Sequence, residues 1–286
     1  MADSKIQWTD KVWNPVTGCT KISEGCRNCY AEAMARRLKA MGQPKYTDGF
    51  KVMCHPEALD EPLKWRKGKR VFVCSMGDLF HEDVPDAFIE EVFGTMSLCG
   101  QHTFIVLTKR AKRMAEWFRT HDLAGCQAQM VVAGNVNVHV RASSESDRFI
   151  NSWPLPNLWL GVTAENQEQA DARIPFLLQT PAAVRFVSIE PMLGPVRLDM
   201  IGVPERCSRS DGSWTLYWNA LTGFRATSPY SGSEGNTHLN WIICGCESGP
   251  NRRPFEEDWA RSLRDQCQSA GVPFFYKQGI GENGKV

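Results

Sequence analysis

Nowhere in this chain is there an apolar run of about 18 residues, the least a helix needs to cross a bilayer, so no membrane role is expected. Excess charge is missing too. The 33 Lys+Arg against 32 Asp+Glu leave a formal net charge of +1 over 286 residues, which gives no global attraction to polyanions. Any nucleic-acid contact would have to come from local basic patches. Residues Met1 to Trp8 lack the basic-then-apolar pattern of a signal peptide, and the expected location is the cytoplasm. Only one pair of cysteines has the C-x2-C spacing, whereas structural zinc sites commonly use two.

What is present is sulfur. Eleven cysteines are an odd set, scattered through apolar runs and polar ones alike, which in a reducing compartment fits thiols and metal ligands better than a disulfide framework. Cys19, Cys26 and Cys29 fall within one short stretch as C-x6-C-x2-C, a spacing that allows three thiolates to converge on one inorganic centre. A four-iron cluster on three thiolates keeps one iron open to an exogenous ligand. Zinc is the competing occupant, with His55 or His81 as a fourth ligand, and free thiols are the third reading.

The rest of the chain repeats one grammar. After Cys29, Ala31, Met34, Ala35, Leu38 and Met41 recur at helical spacing and Gly42 stops the run. Apolar, β-prone runs at Arg70–Ser75, His102–Lys109, Asn157–Thr163, Val184–Glu190, Asn240–Glu247 and Val272–Tyr276 alternate with helical patterns near Asp86–Leu98, up to Phe118, Gln167–Leu178 and Glu256–Ala270. A further strand is expected between Trp8 and Val16. Near-continuous apolar strands separated by helices predict an α/β fold with a parallel sheet covered on both faces. Six or seven such units over 286 residues favour a single-domain partial or complete (βα) TIM-like barrel. Two stretches interrupt the rhythm: about 121–156, polar and closed by Trp153-Pro154-Leu155-Pro156, and about 199–239, which reads as a β-hairpin-like insertion able to serve as a substrate lid or as a plain surface excursion.

In such a fold the chemistry sits where strands end. Ser75, Gly77 and Asp78; Thr108, Lys109 and Arg110; Thr163 and Glu165; Ser188 and Glu190; Glu247 and Ser248; and Lys277 each follow an apolar run, where they could bind the amino, carboxylate and ribose groups of a cofactor or contact substrate. Strands also end in polar residues simply because they end at the surface. The turn Cys244–Pro250 has neither of the glycine-rich phosphate patterns, and Cys244 and Cys246, on one side of their strand by alternation, are either buried thiols or a second metal contact. Lys64–Arg70 packs five cations into seven residues and Lys109–Arg113 four into five. These are either solvated faces or phosphate contacts for a nucleic acid or nucleotide, with Trp65 as a stacking surface.

Trp13-Asn-Pro-Val-Thr-Gly-Cys19, Gly25-Cys26-x-x-Cys29-Tyr30-Ala31, Glu247-Ser-Gly-Pro250 and Arg261-Ser-Leu-Arg-Asp-Gln-Cys-x-x-Ala270-Gly-Val-Pro-Phe-Phe275 together resemble the phage Gp37/Gp68 family (DUF5131), a three-cysteine-motif family similar to radical S-adenosylmethionine (SAM) proteins. The resemblance runs from about residue 6 to 278. It implies a TIM-like barrel carrying a [4Fe-4S] cluster on Cys19, Cys26 and Cys29, with SAM on the open iron, contacts from the strand-end residues, an electron donor, and a phage or defence partner protein. The activity implied is reductive SAM cleavage and hydrogen abstraction from a substrate, with a nucleic acid or nucleotide as the candidate; the alternative is a non-catalytic iron–sulfur or zinc module acting as a partner of a phage or defence protein. The first cysteine gap is three residues longer than the commonest radical SAM spacing, and Asn28 stands where an aromatic residue is usual.

Overall fold

The computed structural model describes residues 6–122, 153–209, 212–228, 231–235, 237–249 and 251–279. Its main sheet has seven strands in the order β1-β4-β5-β6-β7-β12-β13, which is the order in which the chain visits them. They are β1 (Lys11–Trp13), β4 (Arg70–Val73), β5 (Thr103–Thr108), β6 (Leu158–Thr163), β7 (Val184–Ile189), β12 (Trp241–Gly245) and β13 (Phe274–Gln278). β1 and β13 are the outer strands of that order. The chain divides into two compact units, one of Met1–Ile22, Cys29–Leu160 and Pro181–Ala183, the other of Ser23–Asn28, Gly161–Thr180 and Val184–Val286.

In the first unit β1, β4 and β5 pair in parallel, with Val12 opposite Phe72 and Phe72 opposite Ile105. Phe104, Ile105 and Val106 are consecutive and all buried, which requires cover on both faces of the sheet. Helices α2 (Asp86–Leu98) and α3 (Ala111–Thr120) supply cover: Phe93 of α2 stacks on Trp117 of α3 at 4.8 Å, and Phe80, Phe118 and Trp153 complete the aromatic cluster. Burying each such ring is worth roughly 1.5–3 kcal/mol. On β1, Trp13 is fully buried and its indole N–H donates to the Ala58 carbonyl at 2.8 Å. A two-stranded antiparallel ladder of β2 (Val16–Thr17) and β3 (Met53–Cys54) leads into the cysteine loop. Helix α1 (Tyr30–Ala40) follows that loop and packs through Ala31, Met34, Ala35 and Leu38, as its spacing predicts; Met41, expected on the same face, is the C-cap and is exposed.

In the second unit β7, β12 and β13 pair in parallel, with Ile242 opposite Val187 on one side and Phe274 on the other. Helix α4 (Gln167–Gln179) is capped by Asn166, whose side-chain oxygen accepts from the Gln169 N–H at 3.0 Å, and α5 (Glu257–Ser269) buries Ala260, Leu263 and Cys267. Parallel neighbours need a long crossover. Between β7 and β12 that crossover is not a helix but a four-stranded antiparallel sheet ordered β11-β10-β9-β8, made of β8 (Ile201–Arg209), β9 (Gly212–Trp218), β10 (Phe224–Ser228) and β11 (Ser231–Glu234). The expected hairpin-like insertion is therefore twice that size. Its base is seated on the helices: the Gly202 N–H donates to Asp171 of α4 at 2.9 Å and the Leu198 N–H to Gln266 of α5 at 2.8 Å. The other expected insertion, about 121–156, lies mostly outside the described residues. No helix among the described residues is long and apolar enough to cross a membrane.

Candidate functional site

The entry to the cysteine loop is fixed by strand-end residues of the first unit. Asn14 Oδ1, just past β1, accepts from the Ser75 hydroxyl at 3.3 Å and from the Met76 N–H at 3.1 Å. Gly18 and Gly77 bridge in parallel, and a Cβ on Gly77 would sit 3.0 Å from the carbonyl oxygens of both Gly18 and Val16, so any side chain there would press on the close approach of the two segments. Ser75 and Gly77, expected as cofactor contacts, are thus engaged in holding the chain that carries Cys19.

Beyond them lies a buried polar network. Asp78 accepts from the Thr108 hydroxyl at 2.7 Å, the Phe80 N–H at 3.0 Å, the Lys109 N–H at 3.2 Å and Arg110 Nη1 at 3.2 Å. The Arg110 side chain is 3% exposed. It also donates to Glu82 at 2.8 Å, to the Thr20 hydroxyl at 2.9 Å and, through Nη1, to the Cys19 sulfur at 3.3 Å. Burial works against its charge, but Asp78, Glu82 and the Cys19 sulfur outweigh it and raise the guanidinium pKa. The Asp83 N–H donates to His81 Nδ1 at 3.1 Å, so in the neutral ring Nε2 carries the proton toward Thr20 Oγ1, 2.8 Å away. Burial, with Arg110 nearby, lowers the His81 pKa and keeps that ring neutral. Cys29 is the N-cap residue of α1, with its carbonyl accepting from Ala33 at 3.2 Å and its side chain against the Ala31, Ala35, Tyr46 and Met76 cluster.

The second unit holds the middle of the loop. Residues Glu24–Cys26 form a 3-10 turn in which the Cys26 N–H returns to Ser23 O at 3.0 Å and the Ser23 hydroxyl lies 3.8 Å from the Cys26 sulfur. The Gly25 N–H donates to Glu165 Oε1 at 3.1 Å, and a Cβ at position 25 would meet that carboxylate at 2.8 Å. Glu165 is fully buried and paired with Arg173 Nη1 at 2.8 Å, which also holds the Thr163 carbonyl at 2.7 Å. Asn28 donates to Glu247 Oε2 and to the Asn251 carbonyl, both at 2.9 Å. Arg253 grips the same carboxylate, with Nε at 3.0 Å from Oε2, and reaches the Glu24 carbonyl at 2.9 Å. Burial alone would raise the Glu247 pKa, but the bonds from Arg253 and Asn28 lower it. Glu190 pairs with Lys277, and the Ser188 carbonyl accepts from Ala164 at 3.0 Å.

Three of the strand-end acids expected to face a cofactor, Asp78, Glu165 and Glu247, are therefore engaged in anchoring the thiol loop or the arginine beside it. The partners Asn14, Thr20, Asn28, Glu82, Arg173 and Arg253 were not read from the sequence. Among the described residues no three His, Cys, Asp or Glu side chains are gathered closely enough to hold a metal ion. None of the nine cysteines whose side chains are described is joined to another in a disulfide. Cys19, Cys26, Cys29 and Cys54 are partly accessible and the other five buried. Cys244 and Cys246 are fully buried; Cys244 lies 3.5 Å from the Met192 sulfur and burial pushes its thiol up to about 12, which matches the reading as strand thiols. In the basic clusters, Lys64 pairs with Asp60, Arg70 with Asp10 and Arg113 with Asp86. A cleft of about 730 Å³ lined by Asp199, Asn219, Arg261 and Asp265 lies beside α5 and involves none of the expected site residues.

An α/β fold with a seven-stranded parallel sheet and a cysteine loop tied to strand ends defines the class of this protein. Over residues 3–285 the chain matches the model of a family described as "Protein of unknown function (DUF5131)", and it belongs to that family. No curated protein and no solved structure matches it.

Proposed function

We propose that the chain is an iron–sulfur protein of the radical SAM type, with Cys19, Cys26 and Cys29 as cluster ligands. The observation that carries this reading is the tethering of the cysteine loop: a guanidinium donates to the Cys19 sulfur, and on either side of Cys26 the Gly25 N–H and the Asn28 side-chain amide donate to carboxylates from strand ends. A cluster site needs three soft thiolate donors, partly accessible, in a loop held by neighbouring groups, and the donor set here has that chemistry. When bound, a [4Fe-4S] cluster supplies a single electron and an open iron for SAM. The chain's own contribution is to hold the loop: Asp78 orients Arg110 toward Cys19, Glu165 holds Gly25, and Glu247 with Arg253 holds Asn28.

Ser188, Glu190, Lys277 and Lys109 stand at strand ends in positions suited to cofactor or substrate. A nucleic-acid or nucleotide substrate would find Lys109, which follows β5, at the same end of the sheet as the loop. Lys64–Arg70 precedes β4 and belongs to the opposite end. The competing reading, a metal site that only folds the loop, is favoured by the engagement of Asp78, Glu165 and Glu247 in anchoring. Anaerobic reconstitution separates the two. Iron and sulfide near four each per chain, with 5′-deoxyadenosine released from SAM on reduction and lost in Cys19→Ala, Cys26→Ala or Cys29→Ala, is the expected result. A loaded, reduced cluster that leaves SAM intact would remove the catalytic claim, and zinc without sulfide would remove the cluster.

A further inference from the structure

We infer that the loop Lys64–Arg70 is a preformed contact for the phosphate backbone of a nucleic acid, bound without regard to base sequence. The inference is independent of the proposed cluster, since the residues it uses lie where strands of the first unit begin, away from the cysteine loop. Five cations in seven residues read equally as a solvated face or a phosphate contact, and the structure separates the two by showing which charges are already paired. Lys64 pairs with Asp60 at 2.7 Å and Arg70 with Asp10 at 3.2 Å. Among the described residues Arg66, Lys67 and Lys69 form no ion pair; Arg66 and Lys67 are exposed and Lys69 is partly so. Three like charges within four residues repel one another, and a loop that merely connected two elements would gain nothing from them.

The backbone that carries these cations is fixed from both ends. The Trp65 N–H closes a 3-10 turn on the Pro62 carbonyl at 3.2 Å, and the Lys69 carbonyl accepts from the Thr103 N–H at 2.9 Å where β4 and β5 begin. The Arg70 N–H donates to Asp10 Oδ2 at 2.8 Å, and the Asp10 N–H donates to the Arg70 carbonyl at 2.8 Å. Between these ends the Trp65 ring packs on the buried His102 at 5.6 Å. A Cβ at Gly68 would lie 2.8 Å from the Gln101 carbonyl oxygen, so the loop runs directly against the turn that precedes β5. A loop held in this way loses little further freedom when a ligand docks.

From Arg66 to Lys69 the chain spans at most about 11 Å. Over that length one strand of a duplex carries about three phosphates, one for each unpaired cation. An anionic membrane is the other polyanion that a basic run can meet, but peripheral anchors add apolar residues on an amphipathic helix. Among the described residues no exposed large hydrophobic side chain lies in this loop, and Trp65 is packed on His102. The surface suits phosphates on a polar polymer.

The test uses the full-length chain without reconstitution and a fluorescein-labelled, mixed-sequence oligonucleotide, as a single strand and as a duplex. Anisotropy titrations between about 50 and 200 mM KCl give the slope of log affinity against log salt, to which each phosphate contact contributes about 0.9 on a duplex and about 0.7 on a single strand. Arg66→Gln, Lys67→Gln and Lys69→Gln combined should flatten that slope by roughly 2 and weaken binding roughly a hundredfold near 0.1 M salt, equally for unrelated sequences. Arg37→Gln, Lys39→Gln and Lys51→Gln, which remove as much charge from other exposed positions, should leave the slope unchanged. In the wild-type chain, acetylation mapped by mass spectrometry should show Lys67 and Lys69 protected by the oligonucleotide. If the triple variant fails to fold, this protection decides alone: its presence supports the inference and its absence overturns it. No salt-dependent binding, a wild-type slope in the triple variant, an equal loss in the Arg37 set, or binding to phosphatidylserine vesicles in place of the oligonucleotide overturns the inference. None of these readings depends on iron or sulfide, so the proposed function stands or falls separately.

Discussion

Glu165 shows how much of the site is held by single side chains. Its carboxylate is fully buried and is tolerated because Arg173 and the Gly25 N–H satisfy it. Replacing Arg173 by leucine strands that charge, and denaturant unfolding of Arg173→Leu should show a loss of about 3–5 kcal/mol, against a much smaller loss when Glu165→Gln is combined with it. The cysteines divide just as sharply. Burial pushes Cys99, Cys244 and Cys267 up to about 12, so they hold few thiolates at neutral pH. Brief iodoacetamide treatment of the metal-free protein, mapped by mass spectrometry, should label Cys19, Cys26 and Cys29 and spare those three; equal labelling would contradict the burial pattern. At this scale the sequence told residue types but not pairings. The spacing of Cys19, Cys26 and Cys29 was legible, as was the recurrence of acids after strands. That Glu165 meets Gly25, 140 positions away, was not, because no local pattern encodes a tertiary contact. Asn28 looked like a departure from a motif, and the structure gives it a partner in Glu247.

Elements were easier to read because burial on both faces writes itself as continuous apolar runs. Val184–Ile189 and Asp86–Leu98 fall where the pattern put them, within a residue or so. β1, three residues long, lies inside the strand expected between Trp8 and Val16, whereas β2 and β3, two residues each, escaped because they are too short for a period to show. The crossover between β7 and β12 was legible as an insertion, but its strand count was not, since Gly- and Ser-rich stretches mark turns without saying what they join. Two outcomes belong to this scale. Asn166→Ala removes the side-chain cap of α4 and should cost about 1 kcal/mol by denaturant unfolding. Gly25→Ala forces the 3-10 turn off Glu165 and should cut the iron retained after reconstitution several-fold while leaving the far-UV circular dichroism unchanged; full iron retention would show that this anchor is dispensable.

For the molecule as a whole, acidity is the revealing variable. His55, His81 and His102 are buried, and burial lowers each pKa below the ordinary 6.5. The folded state thus prefers these rings neutral, whereas the unfolded chain begins to take up protons near 6.5. Stability is therefore fully present above that value and falls as the pH drops from it through the depressed folded values. Thermal unfolding at pH 7.5 and 5.5 should give a lower Tm at the lower pH, and a Tm that did not change would deny the three rings their burial.

One pair at the strand ends differs from the rest. Glu190 and Lys277 face each other with about a quarter of each side chain open to water, 20% and 27%, whereas the Asp78, Glu165 and Glu247 carboxylates are nearly closed off at 8%, 0% and 5%. A cation could reach the Glu190 carboxylate only by displacing a lysine. Because that amine is tethered to the chain, displacing it from Glu190 would not remove its charge, and any cation taking its place would raise the local charge by one against a built-in rival.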